Sequence, residues 1–167
     1  MVATLQWFGT ATWRAMVDGY VIWLDAYVDR APTAAAVPQR AADIEEAHAI
    51  LVGHSHFDHV ADAGLIARNT GAVVVGSAHT VDIVTEEGVP AKKTTVCAGG
   101  ELLQLGPVSV RVYPSLHGFN ALSPDSPFRE WPDPDGRTRE ERTAILRERD
   151  PEGLAGAFEH FRSVPPK

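Results

Sequence analysis

The run Val52-Gly53-His54-Ser55-His56-Phe57-Asp58-His59 limits what this chain can fold into more than any other feature. Three of the seven histidines and an aspartate are packed into six residues. In extended backbone, residues i and i+2 point the same way, so His54 and His56 are expected to aim two imidazoles at one point. Asp58 and His59 fall where a helix should begin, facing the same region but offset, as a second metal a few ångströms away would need. Asp58 also reads as the N-cap of that helix, whose N-terminus favours its negative charge. Ile50-Leu51-Val52 reads as a buried strand. Strand, ligand-bearing loop and helix in that order place the site at the carboxyl end of a strand, where α/β folds concentrate their chemistry. A surface histidine cluster with incidental metal affinity would require neither the strand nor the helix.

The rest of the chain supplies the frame. Thr4–Phe8, Thr12–Val17 and Tyr20–Leu24 are β-rich, with Gly9 and an Asp18-Gly19 hairpin turn between them. Gln39–Ala49 predicts a helix, Asp58–Asn69 a second ended by Asn69-Thr70-Gly71, and Ala78–Glu87 a third stopped by Gly88. Ala72–Val75 reads as a fully apolar strand, and Thr94–Val96, Glu101–Leu105 and Val108–Tyr113 as three more. Hairpins followed by strands alternating with helices imply a layered α/β or α+β domain. The character changes after about Pro114, where prolines and charges concentrate. A Pro-rich loop is expected over 118–136 and a charged helical tail over 137–167, with helices at Arg137–Arg149 and Pro151–Phe161.

At 167 residues, 44% hydrophobic and 22% charged, the chain has the make-up of one globular domain rather than a disordered segment. No apolar stretch reaches the ~18 residues of a membrane span, and MVATLQWFGT has neither the basic nor the apolar region of a secretory leader. The lone Cys97 excludes an internal disulfide framework and fits a reducing, cytoplasmic setting. A formal net charge of −7 leaves no basic stripe to track phosphates, which speaks against a nucleic-acid partner.

The H-x-H-x-D-H pattern of His54, His56, Asp58 and His59 resembles the signature of the metallo-β-lactamase fold superfamily of metallohydrolases. Trp7-Phe8-Gly9-Thr10-Ala11-Thr12 and the strand Tyr20–Leu24 ending in Asp25 resemble its opening. The likeness is greatest to the branch of the ascorbate-phosphate lactonase and the N-acyl-phosphatidylethanolamine phospholipase D relatives. Many of those have His where this chain has Thr10, and Asp-Pro where it has Asp25-Ala26. The resemblance implies an αββα sandwich, with residues 1–117 as its N-terminal half: the first β-sheet, its helices and the metal motif. It implies zinc, as one or two ions, or another divalent metal such as Mn or Fe. His54, His56 and His117 would hold one ion and leave a position open for water, as catalytic zinc sites do. Asp58 and His59 would hold a second, and Asp25 would support the site by bonding a ligand. The reaction implied is hydrolysis of an ester, lactone or phosphoester bond of a small molecule by a metal-bound hydroxide; with one metal only, Asp58 would instead orient the water or accept its proton. Phe119, Asn120 and Trp131, in the loop after His117, are candidates for the substrate pocket. His48 is expected on a helix face, His79 in an exposed first turn or, since it follows a neighbouring strand, lining the cleft, and His160 packed in the last helix.

Two-metal members of the superfamily also need a bridging aspartate and a further histidine from a second sheet. No strand is legible after Tyr113, and none of Asp125, Asp133, Asp135 and Asp150 follows one, so none is assigned the bridging role. A half-sandwich would expose the inner face of its sheet. The expectations are therefore a truncated or split chain, a homo-oligomer or another subunit that completes the fold, or a compact minimal variant. The competing function is a truncated or degenerate, non-catalytic metal-binding subunit. An amidohydrolase-type barrel also opens with H-x-H after a strand, but needs eight strand–helix units and gives no reason for Asp58-His59. A nuclease of the same superfamily is disfavoured by the charge.

Overall fold

A computed structural model describes residues 2–29, 34 and 37–114, with isolated positions 138, 140, 141, 144 and 148. The chain divides into two compact units, one of residues 1–30, 35–115 and 165–167 and one of 31–34 and 116–164. The first holds nearly all of the described residues. The Pro-rich loop 118–136 and most of the tail 137–167 lie outside them, although Glu140, Glu141, Ala144 and Glu148 are helical.

Six strands of the first unit form one sheet in chain order: β1 (Ala3–Gly9), β2 (Thr12–Val17), β3 (Tyr20–Leu24), β4 (Ala49–Leu51), β5 (Val73–Gly76) and β6 (Thr94–Val96). The first three pair antiparallel, and β3 through β6 pair parallel. The β2–β3 turn is a two-residue one with positive φ at both Asp18 (+48°) and Gly19 (+85°), as a hairpin matched to right-handed strand twist requires. A separate antiparallel hairpin, β7 (Leu102–Leu105) and β8 (Val108–Arg111), follows β6. The helices are α1 (Phe57–Val60), α2 (Ala63–Thr70) and α3 (Ala78–Glu86).

Register separates the two faces of the sheet. Phe8, Val21, Trp23, Ile50 and Val74 form one core with Val60, Ala63, Ile66, Ile83 and Val84 of the helices. The helices therefore cover one face. On the other lie Leu5, Trp7, Trp13, Leu24, Leu51 and Val75, aligned across the strands by the pairs Trp7–Trp13, Trp13–Leu24, Leu24–Leu51 and Leu51–Val75. The β7–β8 hairpin lies over part of this second face. Its turn at Gly106 comes so close to Tyr20 that a side chain there would run into the ring, and β8 shares a cavity wall with Leu24 and Leu51.

Two helix expectations are corrected. Gln39–Ala49 forms only a 3₁₀ turn at Ala41–Asp43, followed by extended chain into β4. Tertiary partners override helix propensity there: Asp29 Oδ1 accepts from Arg40 Nε and the Ala41 amide, and Arg14 pairs with Glu46. The predicted helix Asp58–Asn69 is two helices. The Ala26 amide takes the His59 carbonyl at 2.7 Å, and the Asp62 amide donates to the Ala26 carbonyl at 2.9 Å. A continuous helix would use the same two groups for its i to i−4 bonds.

Candidate metal centre

The donor loop leaves β4 between two parallel neighbours. The Val52 amide donates to the Val75 carbonyl at 2.8 Å, the chain bends through 53–56, and α1 begins at Phe57. The N-cap is His56, whose side chain makes no capping bond, and Asp58 lies in the first turn; the expected N-cap role of Asp58 is thereby corrected. The bend and the helix start together bring donor atoms of His54, His56 and Asp58 within 4.8 Å of one another. The His54 ring centroid lies 4.6 Å from that of His56 and 3.9 Å from that of His59. His59 Nε2 is 3.7 Å from Asp58 Oδ2.

Asp25 ties this cluster to the end of β3. Its Oδ2 is 2.7 Å from His59 Nδ1, and its Oδ1 accepts from the Gly53 amide at 2.7 Å. A carboxylate against Nδ1 holds the proton there and leaves Nε2, on the Asp58 side, as the basic nitrogen. To reach both partners Asp25 adopts φ +54°, a left-handed conformation uncommon for residues other than glycine. Such backbone persists where neighbours over-determine it. Here the next residues are stitched down: the Tyr27 amide donates to Thr12 Oγ1 at 2.9 Å, and the Val28 and Asp29 amides donate to Asp62 Oδ2 at 2.6 and 2.9 Å.

The other histidines separate. His79 is exposed in the first turn of α3, as expected, and its Nδ1 lies 2.9 Å from Ser55 Oγ, beside the donor loop. The signal was its position after the end of β5, which matches the position of the loop after β4. His48 lies on no helix; its Nδ1 accepts from the Val21 amide at 3.0 Å and its ring stacks on Tyr20. His117, Phe119, Asn120, Trp131 and His160 lie outside the described residues.

A cavity of about 510 Å³ opens between the second face of the sheet and β8. Its described walls include Leu24, Leu51, Val75, Cys97, Val110 and Val112, and it reaches the donor loop through Asp25 and Gly53. Burial, then the negative charge of Glu101, pushes the Cys97 thiol above its ordinary pKa, so it is protonated at neutral pH. No sequence pattern marks this cavity, because its walls meet only across the sheet.

The donor set fits a divalent ion. Tetrahedral donors held at about 2.1 Å sit roughly 3.4 Å apart, so closing these three around an ion needs shifts of about an ångström. Two imidazoles and a carboxylate suit zinc and equally other first-row divalent ions.

The comparisons agree with this geometry. The family model of the Beta-lactamase superfamily domain matches residues 20–126. A UPF0173 metal-dependent hydrolase of Pyrobaculum neutrophilum is 33% identical over 121 residues, which are 72% of this chain and 53% of that protein. One from Chloroflexus aurantiacus is 43% identical over 74 residues, 44% of this chain and 30% of that protein. The solved structure of Igni18, a metallo hydrolase from Ignicoccus hospitalis, superposes with a TM-score of 0.55 at 22% identity, over 68% of this chain and 48% of its own, a likeness of fold. The chain spans about half the length of the curated relatives first matched. Among the described residues no helix is long and apolar enough to cross a membrane. Sheet, donor loop and matched span agree: the chain belongs to the beta-lactamase superfamily domain family.

Proposed function

We propose that this chain carries the metal-binding side of a hydrolase that cleaves an ester, lactone or phosphoester bond of a small molecule. The observation that supports it is the convergence of His54, His56 and Asp58 within 4.8 Å, beside a histidine held by Asp25, at the carboxyl ends of parallel strands. The relatives described as metal-dependent hydrolases point the same way.

In this reading His54 and His56, with His117, hold one zinc ion, and Asp58 and His59 hold a second. When bound, such an ion makes water acidic near neutral pH and polarises the bond to be cleaved. Asp25 keeps the His59 proton on Nδ1. With one ion only, Asp58 instead orients the attacking water and accepts its proton at the carboxylate. Phe119, Asn120 and Trp131 supply the substrate wall. The donors still needed come from the rest of the fold, whether from further chain, a second copy or another subunit.

The test begins with metal content and native mass of the purified protein, followed by a panel of esters, lactones and phosphodiesters. Stoichiometric metal and a hydrolysis that His56→Ala abolishes support the reading. Stoichiometric metal with no turnover on the panel, in the assembled protein, favours a non-catalytic metal-binding subunit instead.

A further inference from the structure

The donor loop is held from both sides. On the β3 side the Asp25 carboxylate takes the Gly53 amide. On the β5 side Ser55 Oγ lies 2.9 Å from Nδ1 of His79, the second residue of α3. Ser55 sits between the two donor histidines, yet its partner is on the neighbouring element, while His54 and His56 face one another at 4.6 Å. The β3–β4–β5 order puts the two anchors on opposite flanks of the loop. α3 is a firm base for the second anchor: Ser77 caps it by accepting from the Thr80 amide, and Thr80, Ile83 and Val84 are buried.

We propose that His79 is a positioning residue that acts on the metal donors through Ser55. The Ser55 side chain goes to α3, while the rings of His54 and His56 on either side of it pack against each other at 4.6 Å. Without that anchor the loop keeps only its tie to Asp25 and the start of α1, and the aim of the two imidazoles relaxes. His79 contributes a hydrogen bond here and is not a ligand. This inference rests on the proposed metal site, and its test is separable from it.

Zinc and cobalt binding are measured on the full chain, with the visible absorption of the cobalt form as a report on donor geometry. Ser55→Ala and His79→Ala are expected to weaken metal binding about tenfold, the low end for loss of a supporting partner. They should also change the cobalt spectrum without lowering the melting temperature of the metal-free protein. His79→Asn places an amide nitrogen near the former Nδ1 and should restore both affinity and spectrum. Wild-type affinity and spectrum in His79→Ala overturn the proposal, as does a loss that His79→Asn fails to restore. If the wild-type chain takes up no metal, the hydrolase reading falls and the anchor is decided on the metal-free protein. There Ser55→Ala must shift the His54 and His56 imidazole NMR signals, and unchanged signals overturn it.

Discussion

On one face of the six-stranded sheet Val21, Trp23, Ile50 and Val74 are fully buried under the helices, whereas on the other Leu5 and Trp7 are 60% and 59% exposed. Both faces are apolar. The second is buried only toward its middle, at Ile22, Ala49 and Val75, and none of these three belongs to the helix-covered core. Covering one side of a sheet satisfies half of its apolar residues; the rest need a second layer. The β7–β8 hairpin provides part of that layer, and the cavity beside β8 lies between the two. The donor loop sits where both faces meet the carboxyl ends of the strands. Its chemistry therefore depends on the firm face through Asp25 and α3, and opens onto the incomplete one through the cavity.

The sharpest test sets one tryptophan against another. Trp23→Ala removes a fully buried ring in contact with Phe8 and should cost about 3–5 kcal/mol in denaturant unfolding. Trp7→Ala should cost only about 0.5–1 kcal/mol, mainly its contact with Trp13. Equal losses would mean that the second face is as well covered as the first, and the contrast between them would fail.

Asp62→Ala probes how the firm face holds the site. It strips the carboxylate from the amides of Val28 and Asp29, the first of them fully buried, and should destabilise by about 2–3 kcal/mol. Calorimetry would detect this readily. A neutral result would mean that the left-handed Asp25 does not depend on the Asp62 clamp.

Asp25→Asn retains the size of the side chain but not its charge. It should weaken metal binding by about 10–100-fold, measured by competition with a chelator. Undiminished affinity would mean that the partner of His59 Nδ1 need not carry a charge.

The smallest effect belongs to the hairpin over the incomplete face. The Ala98 amide, then its own amide and that of Gly99, hold the Glu101 carboxyl below its ordinary pKa. A carboxyl lowered in the folded state stabilises above the unfolded pKa, and that contribution disappears as pH falls through the folded value. The protection of the Ala98 and Gly99 amides against exchange, relative to an unfolded chain at the same pH, should fall in acid in the wild type. Glu101→Gln should flatten that dependence while leaving global stability at neutral pH nearly unchanged.

Much of the fold was legible from residue order. Strands β2, β3 and β6 have the bounds expected, α3 ends one residue early, and the others shift by one or two residues at their ends. These segments carry their own punctuation: Asp18-Gly19, Gly71, Gly88. The segment Gln39–Ala49 misled because its alanines and glutamates favour helix locally, while Asp29, Arg14 and Trp23 claim its groups from a distance. The break between α1 and α2 was hidden for the same reason, since the competing acceptor at Ala26 lies far back in the chain.

The sequence by itself determined which candidate donor side chains lie together. His54, His56 and Asp58 are close in sequence, between a strand and a helix, and the structure keeps their ligand atoms within 4.8 Å of one another through a bend. Only the tertiary structure decided what steadies them. The bonds from Asp25 to His59 and Gly53, and from His79 to Ser55, join residues more than twenty positions apart. Such pairs meet because parallel strands β3, β4 and β5 end side by side, and strand order is a property of the packed sheet rather than of any one segment.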